Sequence, residues 1–111
     1  GVQTCALPIY GPLDGQYEEQ TEALLEYLGP KRHIFWVNVY CPSTGWQESN
    51  NAYLKKIQAK HANVTIIDWY NLIQKHPEWL TDDEIHPNTE GTKEYAKLIH
   101  RTITETLQAS V

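Results

Sequence analysis

Two short runs constrain the fold of this chain more than any other feature: Ile34-Phe35-Trp36-Val37-Asn38-Val39 and Val64-Thr65-Ile66-Ile67. Both are rich in branched or aromatic residues, nearly continuous in apolar character and bounded by turn-forming residues, which is the pattern of strands buried on both faces in a parallel sheet. Helical periodicity surrounds them. Tyr17, Thr21, Leu24, Leu25 and Leu28 recur at helical spacing until Gly29-Pro30 stops the pattern, and Tyr53, Leu54 and Ile57 form the inward stripe of a polar helix over 47–60. A short helical piece over 70–75 leads to His76-Pro77 and a loop over 81–87. Asn88 then caps a final helix whose inner face carries Tyr95, Leu98, Ile99, Thr102, Ile103 and Leu107. Helix, strand, helix, strand, loop, helix is an α/β order with parallel strands. Two strands leave edges in need of neighbours, so the chain is expected to be half of a larger sheet, with Phe35, Trp36, Val37 and Ile66 short of neighbours and the packing poor or molten.

Size and charge narrow the function classes. The 111 residues make at most one domain, and the formal charge of -5 with no Lys/Arg cluster along the chain argues against nucleic acid or anionic lipid as a partner. No apolar run approaches the roughly 18 residues of a membrane span. Residues 1–9 lack the basic flank and apolar stretch of a signal peptide. Cys5 and Cys41 permit one disulfide and leave the redox compartment open. Four Trp and seven Tyr against one Phe and no Met suit either a cleft for a polar ligand such as a sugar or a core with a wet edge.

Chemistry concentrates in Asp83-Glu84-Ile85-His86, followed by Pro87-Asn88. An Asp three residues before a His orients the imidazole and stabilises its cation, as two members of a Ser-His-Asp triad do. Mounting on a loop before a helix N-terminus favours neutral imidazole, the form that acts as a base. A solvated acidic loop is the plainer alternative. Asp82, Asp83, Glu84, His86 and Glu90 are crowded, yet lack the i, i+4 ligand spacing of a zinc site, so no metal is expected. His33, His61, His76 and His100 read as solvated polar residues. Ser43, Ser49 and Ser110 lack the strained turn that exposes a nucleophile.

Residues 1–9, Gly-Val-Gln-Thr-Cys-Ala-Leu-Pro-Ile, match the in-frame translation of a common short-read sequencing adaptor. They are expected to be adaptor-derived, with residues 10–111 a truncated domain that lacks its nucleophile half. Cys41 would then be the single native cysteine. The codon junction falls inside Tyr10, where the original residue is then Asn, Asp, His or Tyr.

Together, Val64-Thr65-Ile66-Ile67-Asp68-Trp69-Tyr70, Trp79-Leu80, Asp83-Glu84-Ile85-His86, Glu90-Gly91 and Tyr95-Ala96-Lys97-Leu98-Ile99 resemble the C-terminal half of the SGNH (GDSL-like) hydrolase fold. The nearest subgroup is the extracytoplasmic SGNH domain of bacterial peptidoglycan O-acetyltransferases. The resemblance runs from Gly11 to about Leu107. It implies two parallel strands plus helices from a flavodoxin-like, three-layer α/β sandwich, with Asp83 and His86 in the catalytic D-x-x-H motif. Gly11 matches the Gly that follows an oxyanion-donating Asn in that subgroup, which puts Tyr10 in the oxyanion position. The family's Gly-Asp-Ser nucleophile segment has no counterpart here, so this polypeptide is expected to be inactive.

The resemblance further implies an intact parent that moves acetyl groups from an acyl donor to a glycan acceptor, outside the cytoplasm and tethered to a membrane acyltransferase domain, without a cofactor. An SGNH carbohydrate or lipid esterase and a non-catalytic carbohydrate-binding module are the alternatives. Substrate-binding residues are not assigned by the motif; Trp46, Trp69 and Trp79 are glycan-facing candidates.

Overall fold

The structure is a computed structural model that describes residues 4–7, 11–13 and 15–109. Its elements are β1 (Thr4–Leu7), α1 (Glu18–Leu28, entered through a 3-10 turn at Gly15–Tyr17), β2 (His33–Val37), α2 (Gln47–Lys60), β3 (Val64–Ile67), α3 (Trp69–Gln74), a 3-10 turn at Pro77–Trp79, and α4 (Thr89–Ala109). Both strands expected from the apolar runs are present and parallel. A third strand, β1, lies within the adaptor-like segment and pairs in parallel with β2, from Thr4 opposite His33 to Leu7 opposite Trp36. The sheet order is β1-β2-β3.

Alternation along β2 divides the core. Ile34 and Trp36 face one layer with Leu25, Tyr53, Leu54, Ile57 and Val64, which is the α1/α2 side. Phe35 and Val37 face the other with Ile67, Trp69, Ile73 and Leu98, which is the α3/α4 side. Sequentially ordered parallel strands with same-handed crossovers put α1 and α2 on one face, and the chain leaving β3 supplies α3 and α4 to the other. The result is a three-layer α/β sandwich. Ile34, Phe35, Leu54, Ile57, Ile67 and Ile73 are almost wholly buried, each contributing about 1.5–3 kcal/mol of hydrophobic stabilisation.

The expected shortage of neighbours around β2 is not found, because β1 and β3 flank it and Phe35 and Trp36 are buried. On β3, the backbone N–H of Ile66 donates to Gln58 Oε1 at 2.7 Å, which satisfies one strand donor from a helix side chain and blunts the edge.

Element ends follow local chemistry. Gly29 adopts a positive φ of 82° after α1, and its N–H donates to Leu25 O at 3.0 Å. Gly91, in the first turn of α4, packs so tightly against the 3-10 turn that a Cβ there would lie 2.1 Å from Trp79 O. Two helices differ from their sequence pattern. Leu24 of α1 is exposed while Thr21 and Leu25 are buried, and the buried face of α2 begins with Gln47 and Asn50, ahead of the expected Tyr53, Leu54 and Ile57.

Candidate active site

The segment between the 3-10 turn and α4 is a closed loop built by its own backbone. Leu80 and Pro87 form an antiparallel bridge. Thr81 N donates to His86 O at 2.8 Å, Glu84 N to Thr81 O at 2.9 Å, and Asn88 N to Trp79 O at 2.8 Å. Glu84 reverses the chain with a φ of 62°, a left-handed conformation that costs a non-glycine residue about 1 kcal/mol or more. Asn88 anchors the exit, its Oδ1 accepting from Gly91 N at 2.9 Å and its Nδ2 donating to Glu78 O at 2.8 Å. It therefore caps α4 and ties the loop to the preceding turn.

This geometry makes the Asp83 carboxylate the hub. Oδ1 accepts from Thr81 Oγ1 at 2.7 Å, Ile85 N at 2.8 Å and His86 N at 2.9 Å; Oδ2 meets His86 Nδ1 at 2.5 Å. The His86 side-chain bond, then the His86 N–H, the Thr81 hydroxyl and the Ile85 N–H hold the Asp83 carboxyl far below the usual carboxylate range. Asp83 is therefore an anion at any ordinary pH. An anionic carboxylate only accepts, so the proton of neutral His86 sits on Nδ1 and Nε2 presents a lone pair. That is the tautomer a general base needs. His86 is 76% exposed, with Nε2 open to an incoming group.

Parallel strands bring their carboxyl ends to one side of the sheet, where α/β proteins place ligands. There His86 borders a cleft of about 330 Å³. Residues 37–41 at the end of β2, Trp46, Trp69, Tyr95 and the loop residues Ile85 and Pro87 line it with His86. Trp69 and Tyr95 meet edge to face at 4.9 Å. Beneath the strand ends, Asn38 Nδ2 donates to Asp68 Oδ1 at 2.9 Å while Asn38 Oδ1 accepts from Tyr70 N at 2.8 Å. Burial pushes the Asp68 carboxyl up, but bonds from Asn38 and Asn71 and the charge of Lys55 outweigh it and hold the group below its usual range. A broader depression of about 530 Å³ on α4, lined by Ala96, Lys97, His100, Arg101, Thr104 and Glu105, shares no residue with this site.

Asp83 and His86 are thus brought into direct contact, and Trp46 and Trp69 line the cleft beside them. Trp79 does not; it stacks on His76 at 3.9 Å and packs against the α3/α4 core. Tyr10 lies outside the described residues, as does Ser110. His61 pairs with Glu22 at 3.0 Å, His76 with Glu78 at 3.0 Å, and His33 bonds Thr65 Oγ1 at 2.8 Å, so these three hold the scaffold. Cys41 is a buried free thiol on the cleft wall. Among the described residues no group of three His, Cys, Asp or Glu side chains is arranged to hold a metal ion, and no helix is long and apolar enough to cross a membrane. Asn38, Tyr40 and Tyr95 were not read as site residues from the sequence; the first two follow an apolar strand, a position whose meaning depends on strand direction.

No family model matches the chain. It is 36% identical over 80 residues, 72% of its length, to the "Putative peptidoglycan O-acetyltransferase YrhL" of Bacillus subtilis strain 168. It is 30% identical over 86 residues, 78% of its length, to the O-acetyltransferase OatA of Staphylococcus aureus strain NCTC 8325. The chain is related to O-acetyltransferases. It spans 12% and 14% of the length of these two relatives. The O-acetyltransferase-related region is therefore a small α/β unit carrying an exposed Asp-His pair at the rim of an aromatic cleft.

Proposed function

We propose that Asp83 and His86 are the acid-base pair of a serine-dependent acyl-transfer site of SGNH type, whose intact form transfers acetyl groups to peptidoglycan or another cell-surface glycan. The observation that carries this reading is the Asp83–His86 geometry: a hydrogen-bonded carboxylate on Nδ1 with Nε2 free at a cleft. In the first half-reaction, His86 Nε2 takes the proton of a serine hydroxyl as that oxygen attacks the acetyl carbonyl, then returns it to the departing group. In the second, it takes the proton of the incoming sugar hydroxyl as that oxygen attacks the acetyl-serine carbonyl, then returns it to the departing serine oxygen, which frees the acetylated glycan. Asp83 holds the ring and stabilises the imidazolium formed in each. Trp46, Tyr40 and Tyr95 offer apolar faces with polar tips, which suit the alternating faces of a sugar ring. The relatives' names support the acetyl-transfer assignment over simple hydrolysis, and a cell-wall acceptor implies an extracytoplasmic location.

The serine and the oxyanion-donating Asn belong to residues preceding position 11 in this reading, with Tyr10 at the altered oxyanion position and residues 1–9 adaptor-derived. Loss of the nucleophile costs on the order of 10⁶-fold in rate. Purified 111-residue chain is therefore expected to hydrolyse p-nitrophenyl acetate or an O-acetylated sugar no faster than its His86→Ala variant. Turnover that His86→Ala abolishes contradicts the need for a serine outside this segment.

A further inference from the structure

The buried face of α2 opens with amides where an apolar stripe would pack better. Asn50 is completely buried and Gln47 nearly so, and a buried amide is tolerated only when its hydrogen bonds are made. Asn50 Nδ2 donates to Gly11 O at 2.9 Å and its Oδ1 accepts from Leu13 N at 2.8 Å. Its neighbour Asn51 grips a single residue, Nδ2 donating to Val39 O and Oδ1 accepting from Val39 N, both at 2.9 Å. Gln47 Oε1 accepts from Cys41 N at 2.6 Å while its Nε2 donates to Glu48 Oε1 at 2.7 Å. None of these bonds joins helix to helix. All the loop-directed ones end on backbone of the two segments that follow β1 and β2, at the carboxyl end of the sheet. The second segment lines the same cleft as His86.

We propose that the first turns of α2 are an amide clamp: Gln47, Asn50 and Asn51 are positioning residues that fix residues 11–13 and 39–41 and so set the shape of the cleft before substrate enters. The purpose rests on the acyl-transfer reading, since preorganised walls lower the ordering cost of binding and hold reacting groups in line. Two rigid loops on one helix also move as one body, so the wall beside His86 and the segment after β1 keep a constant spacing.

The test is amide hydrogen exchange on the ¹⁵N-labelled 111-residue chain, with alkylation of Cys41 read site by site by mass spectrometry. Asn51→Ala should accelerate exchange at Val39 by about tenfold or more, the equivalent of one lost hydrogen bond, and leave Leu13 unchanged. Asn50→Leu should do the converse. Gln47→Leu should accelerate both exchange at Cys41 and alkylation of its thiol, and the exchanged pair Gln47→Glu with Glu48→Gln, which keeps the acceptor for Cys41 N and a donor–acceptor match between the two side chains, should restore both. Acceleration of all three amides together with Ile34 and Leu54 in the half-exposed Asn51→Ala variant, or no acceleration in any variant, overturns the proposal. No turnover enters these measurements, so failure of the clamp and failure of the acyl-transfer reading are separately visible.

Discussion

At Asp83, one short side chain closes a loop, fixes a tautomer and holds a negative charge, because its two oxygens together accept four hydrogen bonds from residues 81, 85 and 86. The consequence for stability has a definite sign. Asp83 has its folded-state carboxyl depressed, so its contribution is fully present above the unfolded value of about 3.9 and disappears as pH falls below it. The stability difference between the native chain and Asp83→Asn should therefore shrink as pH falls below about 4, as read by urea melts from about pH 5 downward. A difference that grows on acidification contradicts the assignment. The Asp-x-x-His spacing was legible in the sequence because a tight turn brings i and i+3 together. The Asn38–Asp68 clasp was not, since it joins residues thirty positions apart.

Among the elements, α2 and β3 have the bounds their sequence patterns predict, and α3 differs by one residue at each end. Those segments end at strong local signals: Gly45 before α2, Asp68 as the N-cap of α3, accepting from Asn71 N at 3.1 Å. The amides on α2 escaped a reading based on apolar periodicity, because Gln and Asn count as solvent-facing until their backbone partners are known. Gly91 escaped it too, as a glycine inside a helical pattern is ordinarily only a weak point. Here it admits the carbonyl of Trp79, and Gly91→Ala forces that backbone and the Asp83–His86 loop apart. The expected loss is about 1–3 kcal/mol, the range for overpacking, measured as a lower urea midpoint. A change within 0.5 kcal/mol, typical of a free surface site, contradicts the tight approach.

For the molecule as a whole, the apolar runs announced a parallel sheet and the helical periods its covering layers, so the α/β class was readable from pattern alone. The face each helix covers follows from crossover handedness, and the central place of β2 follows from its being apolar at every buried position. What the pattern missed is β1, a four-residue strand with no long apolar signature, whose pairing removes the exposed flank that β2 was expected to have. The sandwich places the carboxyl ends of the strands, the aromatic cleft and the Asp-His loop on one side, which is why a unit of this size presents the pair and the cleft together.

The central claim is that His86 does proton transfer at that site. Its most direct test is a chimera in which the matched 80-residue segment of this chain replaces its counterpart in the Bacillus subtilis relative, with base-released acetate measured from purified peptidoglycan. The chimera is expected to acetylate the wall, and His86→Ala within it to lower the rate on the order of 10⁴-fold or more. Undiminished acetylation by the His86→Ala chimera would contradict the account.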